Sequence, residues 1–192
     1  MRSDEDGDLT IERASQLAAF TSNGGTTDAV LAFFDSLPAV SLDAMRGRWR
    51  GEGLPSGHPM DGLLERFGWY GKAFNGPEDV QPLLCKGRRG DVFALNPAFV
   101  PIGFVNRHIG LFHTRFAAAL VALAGPAAAT RRPTARLRMT EHRGVVTATM
   151  IYDSLPINDM FRAVDGNTRL GVMDLRGMAQ PFFFVLRLDR RS

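Results

Sequence analysis

Residues 9–37 carry apolar residues at three- and four-residue intervals, which is the spacing of an amphipathic helix. The pattern divides into LTIERASQLAAF and TTDAVLAFFDSL, and the SNGG between them favours a break. The threonines that open the second segment suit a helix cap, and the proline that follows it suits a stop. We therefore predict two helices that lie against or plug the rest of the chain, as an extension (residues 1–37) of one main domain (residues 38–192).

The periodicity changes to two in residues 134–153. In TARLRMTEHRGVVTATMIYD, apolar and polar residues alternate on both sides of HRG, which predicts a hairpin with one buried face. Further strands are predicted for GRWRGEG, GWYGKAF, QPLLCK, VFAL and PFFFVLRLD, and short helices for DGLLERF and INDMFR. Residues 96–130 give no clear pattern. Many hairpin-linked strands predict a mainly β protein, an antiparallel β-barrel with N-terminal helices and a short lid helix.

Composition supports an ordinary globular domain. The chain has 192 residues, 45% hydrophobic and 22% charged, with a net charge of +3. Its single cysteine, Cys85, excludes an intrachain disulfide and a zinc site made of cysteines. The acidic start lacks an apolar signal core, and no apolar run reaches the roughly 18 residues of a membrane span. We therefore expect a cytoplasmic protein.

The segment GRWRGEG surrounds one tryptophan with glycines and charged residues. In a strand over residues 46–52, Trp49 and its neighbouring glycines share one face, and the arginines share the other with Glu52. Because the charged face must contact water, we expect the indole to point inward. Flanking glycines leave room for a large ring where a strand bends across the closed end of a barrel. Trp49 is thus predicted to form the floor of the barrel.

Four blocks of the sequence resemble a bacterial family of unknown function that is named for its GXWXG motif. These blocks are GRWRG, SGHPMDGLLERFGWYGKAF, TATMIYDSLPINDMF and FFFVLRLD, and the resemblance spans about residues 28–188. A G-x-W motif on the first strand is also the mark of lipocalin-like barrels, in which an arginine of the last strand packs over the tryptophan. The resemblance therefore implies a lipocalin-like fold, with Arg187 over Trp49. It implies no reaction, because fold does not fix function.

Residues 54–72 give the strongest candidate for a ligand site. A short helix between two barrel strands can form a lid over the open end, with His58 and the WYGK residues near a cavity mouth. The alternative is that His58 is a turn residue and that the aromatic residues belong to the core. Tyr152 falls on the apolar face of its strand and offers a hydroxyl group there. The expected ligand-binding residues are His58, Trp69, Tyr70, Lys72, Met150, Tyr152 and Phe161.

The segment IYDSLPIND places two aspartates near Tyr152. Paired carboxylates can share acid and base roles when one of them is desolvated. Alternatively, Asp153 ends a strand and caps a helix, with Asp159 in the first turn of that helix. An enzyme that acts on a small hydrophobic substrate would use Tyr152, Asp153 and His58, with Lys72 as a further candidate.

The histidines and the arginines give only weak indications of a metal, a cofactor or a macromolecular partner. His108, His113 and His142 lack the spacing of a metal motif, so we expect no metal and no cofactor, with a haem-binding barrel as an alternative. Arginines of residues 131–143 alternate outward, which favours a solvated face or contact with an anionic head group or membrane surface. Aromatic residues are not interleaved with these arginines, so we expect no nucleic-acid partner.

Together these features favour non-catalytic binding of a hydrophobic small molecule or lipid in a barrel cavity. A fatty acid, a phospholipid and an isoprenoid-like molecule all fit an apolar cavity with few polar groups. The small enzyme and the haem-binding barrel stay open as alternatives. Barrel edges or the N-terminal helices can also support a homodimer.

Overall fold

Two helices begin the chain in the computed structural model, which describes residues 2–87, 90–100 and 128–190. They are α1 (Arg2–Asn23) and α2 (Thr27–Ser36). The hydroxyl of Thr26 accepts a hydrogen bond from the backbone N–H of Ala29, which satisfies one of the free donors at the start of α2. The predicted helices and their break are confirmed.

The described residues form ten strands, most of them longer than six residues. They are β1 (Gly47–Gly53), β2 (Trp69–Gly76), β3 (Asp79–Lys86), β4 (Val92–Leu95), β5 (Ala129–Thr130), β6 (Ala135–His142), β7 (Val145–Tyr152), β8 (Ile157–Ala163), β9 (Thr168–Leu175) and β10 (Phe182–Leu188). A one-turn helix, α3 (Leu63–Arg66), lies between β1 and β2. Two single-turn 3₁₀ helices span Asp43–Met45 and Pro97–Phe99.

Eight of these strands close into an antiparallel ring. The order around the ring is β2, β1, β10, β9, β8, β7, β6 and β3, and pairing of β3 with β2 completes it. Strands β4 and β5 extend the sheet outward from β3. The contact between β3 and β6 is the narrowest of the ring, with Val80 and Ala135 as its register pair. The prediction of a mainly β, antiparallel, barrel-like fold is confirmed.

The hairpin of β6 and β7 is turned by Arg143 and Gly144. Both residues have positive φ, 53° and 76°, as a two-residue turn that matches the twist of the strands requires. The predicted hairpin is therefore confirmed. Its apolar face is buried toward the middle of the ring, whereas Met139 and Val146 near the turn are 43% and 53% exposed.

The prediction of a short helix at INDMFR is wrong, because this segment is strand β8. It pairs with β9 from Ile157 to Ala163 across the turn that contains Gly166. Both faces of β8 are covered: Phe161 packs inside the ring, and Met160 packs under the N-terminal helices. A strand buried on both faces has consecutive apolar residues and loses the period-two pattern.

Two apolar clusters hold the fold together. One fills the ring and includes Trp49, Phe161 and Phe184. The other joins α1 and α2 to the outer face of β8, β9 and β10 and includes Phe34 and Phe183. The N-terminal helices therefore lie against the ring and do not plug it.

One end of the ring is covered by the segment between β1 and β2. Strands β1, β7 and β9 run in the same direction, so the loops that follow them meet at one end, which we call the lid end. Met60 and Leu63 from the β1–β2 segment are buried in the cluster inside the ring. Within the described part of the chain, no helix has the length and apolar character needed to cross a membrane.

Candidate functional site

A lysine and an aspartate form an ion pair inside the ring. The Nζ of Lys72 on β2 lies 2.8 Å from the Oδ2 of Asp159 on β8, and their side chains are 3% and 1% exposed. Moving two charges from water into a protein interior costs several kcal/mol for each ion, and mutual attraction often fails to recover that cost. A buried pair of this kind is therefore weak evidence for stability and is a candidate for function.

The ammonium group of Lys72 has two further polar neighbours. It donates to the backbone carbonyl of Pro82 at 3.2 Å and to the hydroxyl of Tyr152 at 3.5 Å. Burial, followed by the nearby Asp159 and Cys85, raises the pKa of Tyr152 well above its ordinary value of 10.0. Tyr152 is therefore a neutral phenol at physiological pH, whose hydroxyl accepts from Lys72 and can donate its own proton.

Aromatic rings surround the same ammonium group. Its Nζ lies 4.9 Å from the ring centroid of Phe184, 5.5 Å from that of Trp69 and 5.6 Å from that of Tyr152. The faces of these rings attract a cation and exclude water from it. We call Lys72, Asp159 and Tyr152 the polar centre.

Two buried polar atoms near the polar centre have no hydrogen-bond partner among the described residues. They are the Oδ1 of Asp159 and the Nε1 of Trp69. Burial raises the pKa of Asp159 above 3.8, and the charge and hydrogen bond of Lys72 oppose that rise. An unpartnered buried polar atom costs about 1–3 kcal/mol, so these two atoms point to a polar group that they would bind.

Glycines make room for the rings next to the polar centre. A Cβ added to Gly51 would overlap the indole of Trp69, and one added to Gly71 would overlap the backbone carbonyl of Trp49. Gly71 also has a φ of +148°, and strand β2 changes register on both sides of it. These irregularities place Trp69 and Lys72 on the inner face of β2 while Tyr70, between them, lies on the outer face.

The predicted pairing of Trp49 with Arg187 is wrong. Arg187 points to the outer face, where its Nη2 lies 2.8 Å from the Oε1 of Glu52. The arginine over Trp49 is Arg169 of β9, with its guanidinium carbon 4.9 Å from the ring centroid. Register explains the difference, since Trp49 lies opposite Leu188 on β10 and Arg187 lies opposite Arg50 on the charged face. Trp49 is buried, and its Nε1 donates to the carbonyl of Met45 at 2.7 Å.

Tyr70 and Asp189 organise the outer face of β1. The hydroxyl of Tyr70 donates a hydrogen bond to the Oδ2 of Asp189 and accepts one from the Nε of Arg50 at 3.2 Å. Arg48 also donates to that Oδ2 from Nε and Nη2, both at 3.2 Å. The guanidinium groups of Arg48 and Arg50 lie 5.2 and 5.6 Å from the ring centroid of Tyr70. Tyr70 is thus separated from the polar centre by the strand that carries it.

A cleft of about 420 Å³ lies beside this cluster, where β1 and β2 separate beyond the pair Arg50–Gly71. Trp69 lines the cleft and also contacts Lys72 inside the ring. The lining residues are Arg50, Gly51, Glu52, Trp69, Tyr70, Lys86 and Arg187.

His58 fixes the segment between β1 and β2 (residues 54–68), which we call the lid segment. Its Nδ1 accepts a hydrogen bond from the backbone N–H of Met60 at 3.0 Å, and its ring packs against Phe182 with centroids 5.5 Å apart. Burial lowers the pKa of His58 below 6.5, against the nearby Asp61 and a hydrogen bond to the backbone of Gln180. These contacts match the alternative interpretation of His58 as a turn residue.

Two predicted ligand residues lie in the interior beside the polar centre. Met150 is the register partner of Asp159 and is fully buried. Phe161 packs edge-on against Phe74 and Phe184, with centroids 5.7 and 6.2 Å apart. The structure therefore brings Trp69, Lys72 and Tyr152 together with these two residues. Whether they bind a ligand stays a prediction.

The acid–base set proposed for an enzyme does not converge. Asp153 lies on the outer surface, 47% exposed, with its Oδ1 3.6 Å from the Nε of Arg136. Tyr152 points inside, and His58 is held in the lid segment. The aspartate beside Tyr152 is Asp159, which does not lie in the first turn of a helix. A strand assignment for INDMFR would have found it, because Asp159 alternates with Ile157 and Phe161 on the inner face.

The histidines and the cysteine add no metal site. His108 and His113 lie outside the described residues, and among those described, no group of three His, Cys, Asp or Glu residues could hold a metal ion. His142 packs edge-on against Phe34. Burial raises the pKa of Cys85 to about 11, so its thiol is neutral and a weak nucleophile at physiological pH.

Three arginines of residues 131–143 are engaged in ion pairs. Arg136 lies near Asp153, Arg138 contacts Glu78, and Arg143 contacts Asp35 at 2.7 Å. Each of these three charges has an acidic neighbour, which weakens its attraction for an anionic head group.

The fold and the site define a class of protein: an antiparallel, barrel-like ring of eight strands that buries an ion pair and carries helices on its outer face. Residues 32–90 match the family described as GXWXG protein, and residues 133–188 match a domain of unknown function (DUF4334). The chain belongs to the GXWXG family, whose function is unknown.

A crystal structure of a protein from Thermomonospora curvata is similar over 93% of this chain and 99% of that chain, with a TM-score of 0.69 and 29% sequence identity. No curated protein matches the sequence.

Proposed function

We propose that the protein binds a hydrophobic small molecule or lipid whose polar group reaches the polar centre inside the ring. The observation that carries this proposal is the Lys72–Asp159 ion pair, which is buried among aromatic rings with one carboxylate oxygen unpartnered among the described residues. An apolar site with a few fixed polar groups is the common form of a small-molecule site. The polar centre provides orientation, and the rings around it provide affinity.

Apolar side chains near the lid end support a route to the polar centre. Several residues that contact the interior cluster are only partly buried and belong to the lid segment, to strand β3 or to loops at that end: Leu64, Phe67, Leu83, Leu155 and Met178. Tyr152 and Trp69 are the end residues of their strands on the same side of the ring. A ligand that enters there would place its apolar part against these side chains.

Charge at the polar centre favours a ligand whose buried end is uncharged. Lys72 and Asp159 neutralise each other, and the free Oδ1 of Asp159 would repel a carboxylate and accept a hydrogen bond from a hydroxyl. The phenol of Tyr152 offers a donor beside it. An alcohol, including an isoprenoid-like alcohol, fits this arrangement better than an ionised fatty acid.

The test is native mass spectrometry of the purified protein with extraction of any bound lipid, followed by titration with decanol and decanoate. The chain has two tryptophans, and only Trp69 contacts the polar centre, so its indole N–H signal in NMR reports the site. We expect a bound lipid or binding of decanol that shifts the Trp69 signal and leaves the Trp49 signal in place. No bound lipid, together with no binding in the titrations, would overturn the proposal.

Asp153 lies on the outer surface while Tyr152 points into the ring, which argues against a small enzyme that uses both residues. A cytoplasmic location remains part of the proposal on sequence grounds, and fractionation of cells that express the protein tests it.

A further inference from the structure

The cleft on the outer face carries an excess of positive charge. Arg50, Lys86 and Arg187 line it, against the single carboxylate of Glu52. Arg50 and Arg187 are register partners on neighbouring strands, and like charges directly opposite each other in a sheet destabilise it. The nearby carboxylate of Asp189 is shared between Arg48 and Arg50 behind Tyr70. The cleft therefore attracts an anion.

The cations of the cleft keep hydrogen-bond donors available. The Nε of Arg50 contacts the hydroxyl of Tyr70 and the carboxylate of Asp189. These contacts fix the plane of the guanidinium group. Among the described residues, neither the terminal nitrogens of Arg50 nor the Nζ of Lys86 have a hydrogen-bond acceptor. A guanidinium group held in one plane binds an oxyanion with little further loss of entropy.

The walls and size of the cleft suit a small molecule. Trp69 and Tyr70 are 6% and 8% exposed, so the aromatic walls are held by packing. A volume of about 420 Å³ lies within the range of small-molecule sites.

We propose that this cleft is a second binding site, specific for the phosphate or carboxylate group of a small soluble molecule. Arg50, Lys86 and Arg187 bind the oxyanion, and the edges of Trp69 and Tyr70 contact the group attached to it. This site lies outside the ring and does not depend on a ligand at the polar centre.

The test is isothermal titration calorimetry with inorganic phosphate and with benzoate, using benzyl alcohol as the uncharged match for benzoate. We expect an oxyanion to bind the native protein and benzyl alcohol to bind at least about tenfold more weakly. Arg187→Gln and Lys86→Gln should each weaken oxyanion binding about tenfold. Arg136→Gln is the control, since Arg136 is a comparably exposed arginine of the outer surface that does not line the cleft.

Two further measurements distinguish the cleft from the interior site and a soluble anion from a lipid head group. A separate titration with decanol measures the interior site on the native protein, so that failure of the interior site and failure of the cleft are distinguishable. Vesicles of phosphatidylcholine with phosphatidic acid test a lipid head group as the source of the anion. The proposal is overturned by the absence of oxyanion binding, by equal binding in Arg187→Gln and the control, or by binding to the anionic vesicles alone.

Discussion

Arg169 lies over Trp49, with its guanidinium carbon 4.9 Å from the centroid of the indole ring. The same guanidinium donates to the backbone carbonyls of Asp165, Ala44 and Thr168 at 2.6, 2.9 and 3.0 Å. It therefore joins the β8–β9 turn to the 3₁₀ helix before β1. One buried side chain thus closes the end of the ring opposite the lid end.

Replacement of Arg169 should destabilise the protein much more than replacement of Arg187. Arg169→Gln leaves three partly buried carbonyls without this donor and removes the cation over Trp49, so we expect a loss of about 3 kcal/mol in the free energy of unfolding. Arg187→Gln removes a half-exposed ion pair and should cost about 0–1 kcal/mol. Urea denaturation of both variants measures the difference. Equal losses would show that Arg169 does not close the ring.

Gly51 should not tolerate a methyl group. Gly51→Ala places a Cβ where the ring of Trp69 now lies, and overpacking of this kind costs about 1–3 kcal/mol. The control is Gly76→Ala on β2, where an added Cβ meets no atom within 4 Å. We expect the first variant to lower the midpoint of urea denaturation and to move the Trp69 indole signal in NMR. A Gly51→Ala protein with the native stability and spectrum would contradict this packing.

We expect the free energy of unfolding to decrease at low pH, in part because His142 becomes protonated. Burial, followed by the charge of Arg143, lowers the pKa of His142 below 6.5, while Asp174 and Asp35 oppose this and Arg162 adds to it. The imidazole of His142 therefore binds a proton more readily in the unfolded chain than in the folded chain. Its contribution to the free energy of unfolding is complete above pH 6.5 and is lost as the pH falls through the pKa of the folded state.

The measurement is the free energy of unfolding at about pH 7.5 and about pH 5.5 for the native protein and for His142→Gln. We expect the native protein to lose more stability on acidification than the variant does. Parallel losses in the two proteins would assign the pH dependence to other groups, such as His58, whose pKa is also lowered by burial.

Local patterns in the sequence were sufficient to predict the N-terminal helices, the β6–β7 hairpin and the inward direction of Trp49. Each of these depends on neighbouring residues: a cap at Thr26, a two-residue turn, and alternation of glycines with arginines. The hairpin-linked strands and the resemblance to the GXWXG family both predicted the barrel-like fold. Strand β8 was misassigned because burial on both faces removes the alternation that marks a strand.

The features of the site that the sequence did not predict depend on contacts between segments that are distant in the chain. Lys72 was expected near a cavity mouth, but its partner Asp159 lies 87 residues further along the chain. Tyr70 was placed with Trp69 and Lys72, and only the register shifts of β2 send it to the outer face. The arginine over Trp49 is Arg169 of β9 and not Arg187 of the last strand. The residues next to Trp49 and Arg169 in the sequence do not indicate this contact.

Removal of one member of the buried ion pair should be costly, whereas removal of both should not. Lys72→Met or Asp159→Leu alone leaves an uncompensated buried charge, for which we expect a loss of about 3–5 kcal/mol. The double variant Lys72→Met/Asp159→Leu keeps an apolar interior and should unfold at the same or a higher urea concentration than the native protein. A double variant that loses as much stability as either single variant would show that the pair stabilises the fold.

The central claim is that the Lys72–Asp159 ion pair binds a ligand. The two residues face each other across the ring, because β2 and β8 are four strands apart in either direction. The most direct measurement is the affinity for decanol of the native protein and of the folded double variant Lys72→Met/Asp159→Leu, by isothermal titration calorimetry. The account predicts binding to the native protein and an affinity at least about tenfold weaker in the double variant, because the hydroxyl loses its hydrogen-bond partner. Equal affinity in the two proteins would contradict it.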